Sequence, residues 1–235
     1  MRIMVSGTHA SGKSTLISDF ALRHPEFAVL PDPFESLDET DDSPSSGIFA
    51  AQLRVAAQRL ADYTAGDDII SERGPIDFLA YLLTTAELTG VALDDEVLER
   101  ATRMTTAAMM HVDLLVVLPL TAHDGIYVGD DEYLELRAAM DAVLRELVED
   151  SDVVGDLVAV EIAGDPDARR AAREELVRGA VRDPLRLWVP RAPRPARKAR
   201  RQEVRVRTRQ PGGMALSRCR CRRTRFGARW NAHER

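Results

Sequence analysis

Gly7-Thr8-His9-Ala10-Ser11-Gly12-Lys13-Ser14 fits the pattern G-x-x-x-x-G-K-[ST], a glycine-rich turn that wraps the phosphates of a nucleotide. Arg2-Ile3-Met4-Val5-Ser6 before it is a short apolar run of strand character. Thr15-Leu16-Ile17-Ser18-Asp19-Phe20-Ala21-Leu22 after it carries apolar residues at helical spacing. Strand, loop and helix in that order are what the loop requires. The glycines let the backbone approach an anion, and successive N–H groups at the helix N-terminus point at it. Lys13, the sole lysine before Lys198, is expected to reach the β- and γ-phosphates of ATP, and the Ser14 hydroxyl to ligate Mg²⁺. Gly7, Thr8, His9, Ala10, Ser11, Gly12, Lys13, Ser14 and Thr15 are therefore the candidate nucleotide-binding set. His9 holds a variable position of the loop and is expected to face solvent.

Charge divides the chain. Residues 1–185 carry 15 basic and 36 acidic side chains, whereas residues 186–235 carry 17 and 2. The first part is long enough for one ordinary domain, and a P-loop domain is expected over 1–183. No apolar run approaches the ~20 residues of a membrane span, and no signal-peptide pattern precedes the first strand, so a cytoplasmic location and no membrane partner are expected. Both cysteines, Cys219 and Cys221, lie in the basic part, which leaves the domain without a disulfide or thiolate metal site. Residues 184–235 form an Arg- and Pro-rich tail without helical or strand periodicity, which reads as disordered. A nucleic-acid or acidic-partner arm, a passive extension and a non-native stretch are its three readings, and nucleic-acid binding is expected, if anywhere, only through it.

Strand-like runs alternate with helical patterns through the domain, the mark of a parallel α/β sheet. The strands are expected at Arg2–Ser6, Phe27–Leu30, Asp68–Ser71, Val112–Leu118 and Leu157–Ala163. Helices are expected at about 48–63, from Pro75 to about Leu88, at about 94–110 and 132–149, and from Pro166 with Asp165 as N-cap. Acidic, turn-rich stretches at Leu37–Gly47 and Thr121–Asp131 read as loops. Leu136, Met140, Val143 and Leu147 are expected to face inward.

Together with the P-loop segment, Ile70-Ser71-Glu72-Arg73-Gly74-Pro75-Ile76-Asp77-Phe78-Leu79-Ala80-Tyr81 resembles the small P-loop ATPases often labelled AAA-domain proteins, close to nucleoside and ribosylnicotinamide kinases. The resemblance covers roughly residues 1–180 and implies a three-layer P-loop NTPase fold with a five-stranded parallel sheet in the order 2-3-1-4-5. It implies that Glu72, ending the strand beside the P-loop strand, helps hold Mg²⁺ or its waters. Arg73 would then stabilise charge on the transferring phosphoryl group, or else form an ion pair with Asp77 or Asp32. Asp32 ends the second strand, where nucleoside kinases carry the acid that accepts a substrate proton; Glu35 is its substitute and a strand-ending turn its rival. Asp77 either points to the acceptor or caps its helix. Gln52 and Arg59 either line the acceptor pocket or are solvated.

One departure bears on the substrate. Kinase lids carry arginines that close over phosphates, yet 123–133 offers Asp124, Asp130, Asp131 and Glu132 and no basic residue; Arg137 is the nearest. Acid beside an anionic acceptor repels it, which points to a neutral or cationic small molecule. The expectation is an ATP- and Mg²⁺-dependent kinase with Lys13, Asp32, Glu72 and Arg73 as catalytic candidates and Ser14 and Glu72 at the metal. The alternative is a non-kinase P-loop ATPase or nucleotide-dependent switch. A guanine-type N-K-x-D loop is excluded, since the chain has no asparagine before Asn231.

Overall fold

β1 (Arg2–Ser6) is buried along its whole length, because parallel strands flank it on both sides and helices cover both faces. In the computed structural model the described residues are 1–36, 45–64, 66–120, 133–163 and 166–179. The five strands are all parallel and run in the order β2 (Ala28–Leu30), β3 (Ile69–Glu72), β1, β4 (Leu114–Val117), β5 (Val158–Glu161). This is the three-layer α/β P-loop fold with the 2-3-1-4-5 order. Register puts Val5 beside Glu72 on one side and Val116 on the other, so the ends of β1 and β3 deliver the P-loop and Glu72 to one edge.

Strand alternation then sorts the side chains. Ile3 and Val5 with Ile70, Leu114 and Val116 join Leu16, Ile17 and Phe20 of α1 (Lys13–Arg23) and Leu176 of α7 (Pro166–Gly179) in one apolar cluster. Met4 and Ser6 point the other way, toward α3 (Pro75–Thr89). Every residue of α3 from Pro75 to Ala86 is buried, since α2 (Ser46–Ala61), α4 (Asp95–Met109) and α5 (Leu134–Val148) pack around it. That position explains a helix apolar on all sides.

Several boundaries differ from those expected. Ser45 caps α2, its Oγ accepting the Ile48 N–H at 3.3 Å, so Ser46 and Gly47 belong to the helix and not to the preceding loop. Leu144 is fully buried on α5 where Val143 is only partly so. The 3-10 turn Pro33–Ser36 and the short helix α6 (Ser151–Val154) span too few residues to leave a periodic signal. Most of the first acidic loop (37–44), the whole of 121–132 with Asp124, Asp130, Asp131 and Glu132, the Asp165 cap and the tail lie outside the described residues. Among the described residues no helix is long and apolar enough to cross a membrane.

Candidate active site

The chain leaves β1 at Ser6 and turns at Gly7, whose φ of 152° and close neighbours both demand glycine. A Cβ there would lie 2.7 Å from the Leu118 carbonyl oxygen and 2.8 Å from Ser11 Oγ. Ala10 (φ 51°) and Gly12 (φ 88°) are also left-handed, and Gly12 stands at the N-cap of α1 with no side chain capping it. The first N–H groups of α1 therefore have no side-chain acceptor at the cap, which is the arrangement an anion occupies.

Lys13 opens that helix and is only 4% exposed, its Nζ donating to the Thr8 carbonyl at 2.8 Å. Burial first, and the Arg73 charge second, bring its pKa down to about 7, against the opposing pull of Asp77, Glu72 and Asp32. A cation enclosed in this way stands ready for a negative ligand. One residue on, Ser14 Oγ donates to Glu72 Oε1 at 2.8 Å. The two metal-ligand candidates, 58 residues apart in sequence, are thus hydrogen-bonded neighbours.

Arg73 also departs from ordinary backbone geometry, with φ at 59°. Its Nη1 lies 3.2 Å from Asp32 Oδ2, and the two side chains are 12% and 16% exposed. The guanidinium sits over the Tyr81 ring, 5.5 Å from its centroid. Arg73 Nε is buried and without a hydrogen-bond partner. The other oxygen of Asp32, Oδ1, accepts the Phe34 N–H at 3.0 Å. Of the two ion pairs the sequence allowed Arg73, the structure forms the one with Asp32. Glu35 follows in the 3-10 turn, its side chain outside the described residues. A shallow cleft opens between Leu30, Pro31, Arg59, Glu72 and Arg73. Arg59 reaches the Pro31 carbonyl at 2.9 Å, and Gln52, 1% exposed, is buried and not solvated.

Asp77 takes the capping role. Fully buried, it accepts the Ser6 hydroxyl at 2.7 Å and the N–H groups of Gly7 and Gly74 at 2.9 Å each. Burial pushes its pKa up, while the donors Gly7 and Ser6 and the charges of Lys13 and Arg73 act against that. One carboxylate thereby joins the end of β1, the first residue of the phosphate loop and the start of α3. Gly-Pro-x-Asp at a helix start is a signal for such a cap, with the acid at the third helical position.

Tyr81, unmarked as a site residue in the sequence, lies with its hydroxyl 3.2 Å from Thr8 Oγ1 and 3.2 Å from the His9 nitrogen, while its ring stacks on Phe49 at 4.8 Å and 13°. Arg137 donates from Nε to the His9 carbonyl and from Nη2 to the Ala10 carbonyl, both at 3.1 Å. The expectation that His9 faces solvent is overturned. Its ring is half-buried with Nδ1 3.3 Å from the Tyr81 hydroxyl, because α3 closes over the loop. Burial, then Arg73, Arg137 and Lys13, lower its pKa to about 4. Between that value and the ordinary 6.5 the unfolded chain holds a proton that the native loop does not, so acid favours unfolding. His9→Gln is expected to flatten the fall of Tm from pH 6.5 to 4 and to leave Tm at pH 8 near that of wild type. Equal slopes for the two proteins would show that the loop imidazole titrates normally.

No group of three His, Cys, Asp or Glu residues that could hold a metal ion occurs among the described residues.

Solved structures that share this fold include two kinases. Deoxyadenosine kinase from M. mycoides with bound dATP aligns over 78% of this chain and 100% of its own, with a TM-score of 0.56 at 13% identity. Thymidylate kinase from Candida albicans covers 77% of this chain and 92% of its own, with a TM-score of 0.51 at 18% identity. The NadR protein in complex with NR matches over 74% of this chain and half of its own length, with a TM-score of 0.52 at 16% identity. At these identities the likeness is one of fold. No family model and no curated protein matches the sequence.

Proposed function

We propose that this chain is a Mg²⁺-dependent kinase that transfers the γ-phosphoryl group of ATP to a hydroxyl of a small neutral or cationic acceptor, with nucleosides the first class to test. The observation that carries this reading is a buried P-loop lysine followed in the chain by Ser14, whose hydroxyl donates to Glu72 at 2.8 Å where β1 and β3 end. In open parallel sheets, ligands gather at the carboxyl ends of the strands. The neutral nucleoside in the name of one structural neighbour, a deoxyadenosine kinase, agrees with such an acceptor.

The residues of the site fit both ATP and Mg²⁺. A polyphosphate suits a cradle with an uncapped helix start, an enclosed Lys13 and a partnerless donor on Arg73. Ser14 and Glu72 offer the hard oxygen donors that Mg²⁺ takes, and the bound ion would neutralise charge on the phosphate oxygens. Lys13 and the loop amides then orient the phosphates, Arg73 stabilises negative charge at the transferring group, and Asp32 accepts the acceptor's proton. None of these roles is assigned to a residue of 184–235.

One observation favours the second reading, a nucleotide-dependent ATPase or switch with no small acceptor: both oxygens of Asp32 are already engaged, by Arg73 and by the Phe34 N–H. The two separate in one assay. The protein is incubated with ATP, Mg²⁺ and a panel of nucleosides, sugars and aminoglycoside-like cations, and products are read by mass spectrometry. A phosphorylated acceptor supports the kinase; ADP and phosphate without one support the switch.

Lys13→Ala is expected to weaken phosphate or transition-state binding by ~2–4 kcal/mol, the loss of one charge-assisted contact in a shielded site. Calorimetry with ATP and a thermal melt check it together. The nucleotide-free Tm should hold or rise, because the substitution removes a buried cation that burial disfavours. Unchanged ATP affinity and turnover would remove this loop as the site.

A further inference from the structure

We infer that Arg137 is a positioning residue of the phosphate loop, holding the His9–Ala10 segment in the strained form that receives phosphate. The inference rests on the nucleotide-binding reading above. Ala10 adopts φ 51° although it carries a Cβ, and a non-glycine residue stays in the left-handed region only where its surroundings over-determine it. Arg137 supplies that determination. Its Nε and Nη2 donate to two consecutive carbonyls, His9 and Ala10, at 3.1 Å each, the forked geometry that a planar guanidinium makes and an ammonium does not.

A second hold comes from the opposite side. The Tyr81 hydroxyl lies 3.2 Å from the His9 nitrogen, so both backbone polar atoms of His9 are held by side chains, one from α3 and one from α5. These helices pack against each other, and a loop held between two packed helices keeps its geometry better than one held by its own turns. Arg137 forms no ion pair among the described residues. Its charge therefore stays beside the loop, where it also lowers the His9 pKa.

A direct contact between Arg137 and phosphate would predict a different mutant pattern. The full chain is titrated by calorimetry with ATP and, separately, with inorganic tripolyphosphate. Arg137→Met is expected to weaken both about tenfold and equally, since the loop and not the nucleoside side is disturbed. Arg137→Lys should recover little of this. Adding Ala10→Gly to Arg137→Met should recover most of it, because glycine adopts the left-handed conformation without steric cost. Arg137→Gln, which keeps one donor, is the milder variant if Arg137→Met melts before binding can be read, and is expected to lose about threefold.

Wild-type affinity in Arg137→Met or Arg137→Gln overturns the inference. So does a loss that Ala10→Gly leaves untouched in a folded protein, since the arginine would then act on phosphate directly. A wild-type chain that binds neither probe overturns the nucleotide reading itself, and this inference with it.

Discussion

Asp32→Asn is expected to lower phosphoryl transfer to the acceptor by ~10²–10⁴-fold while ATP affinity stays close to that of wild type. A general base acts in the chemical step, and Asp32, in the turn after β2, bonds directly to Arg73 and the Phe34 N–H and not to the phosphate loop. Asparagine keeps an oxygen for the Phe34 N–H but loses the charge that faces Arg73 at 3.2 Å. Since that pair is largely shielded from water, the variant should also melt earlier, by the equivalent of ~3–5 kcal/mol if no other acid takes over the arginine. The two effects are read apart by measuring transfer, ATP binding and Tm on one preparation well below the melt. Normal transfer to an identified acceptor would show that Asp32 serves the ion pair alone, and Glu35→Gln would be the next variant to assay.

Asp77→Ala is expected to be strongly destabilising, costing ~3–5 kcal/mol in a denaturant titration. It leaves three buried donors, the Ser6 hydroxyl and the N–H groups of Gly7 and Gly74, without their acceptor, and each such orphan costs ~1–3 kcal/mol, partly recovered by relaxation. Asparagine is not a safe substitute, because its amide NH₂ would turn a donor toward one of these donors. ATP binding should weaken in parallel, since Gly7 begins the phosphate loop. A midpoint within a few tenths of a molar of wild type would show that water or a neighbouring group replaces the carboxylate.

Both predictions concern residues whose importance the sequence shows only in outline. Asp77 reads as either a cap or an acceptor contact from G-P-x-D alone. The choice is made by Ser6 and Gly7, about 70 positions away, which arrive because β1 and α3 pack against each other. Arg73 likewise has two possible acidic partners by composition, and the turn after β2 brings Asp32 to it. Tyr81 carries no mark among the buried residues of its helix, and Arg137 is legible only as the nearest basic residue after an acidic loop. Its actual partners are carbonyls 127 and 128 residues earlier. His9 misleads because a variable loop position is ordinarily wet, whereas here α3 covers it.

What the sequence by itself determined is everything that repeats or binds locally. Hydrophobic periodicity marks the strands and helices, and the spacing of Gly7, Gly12, Lys13 and Ser14 marks the phosphate loop, because strand pleat, helical turn and loop closure all act within a few residues. The strand order came from likeness to known P-loop proteins, and the structure bears it out. Only the tertiary structure decided which polar group meets which: Ser14 with Glu72, Arg73 with Asp32, Asp77 with Gly7, and Arg137 with His9 and Ala10. A salt bridge or buried hydrogen bond depends on distances of about 3 Å between residues far apart in the chain, and those distances exist only once the sheet has brought its strand ends together and the helices have closed over them.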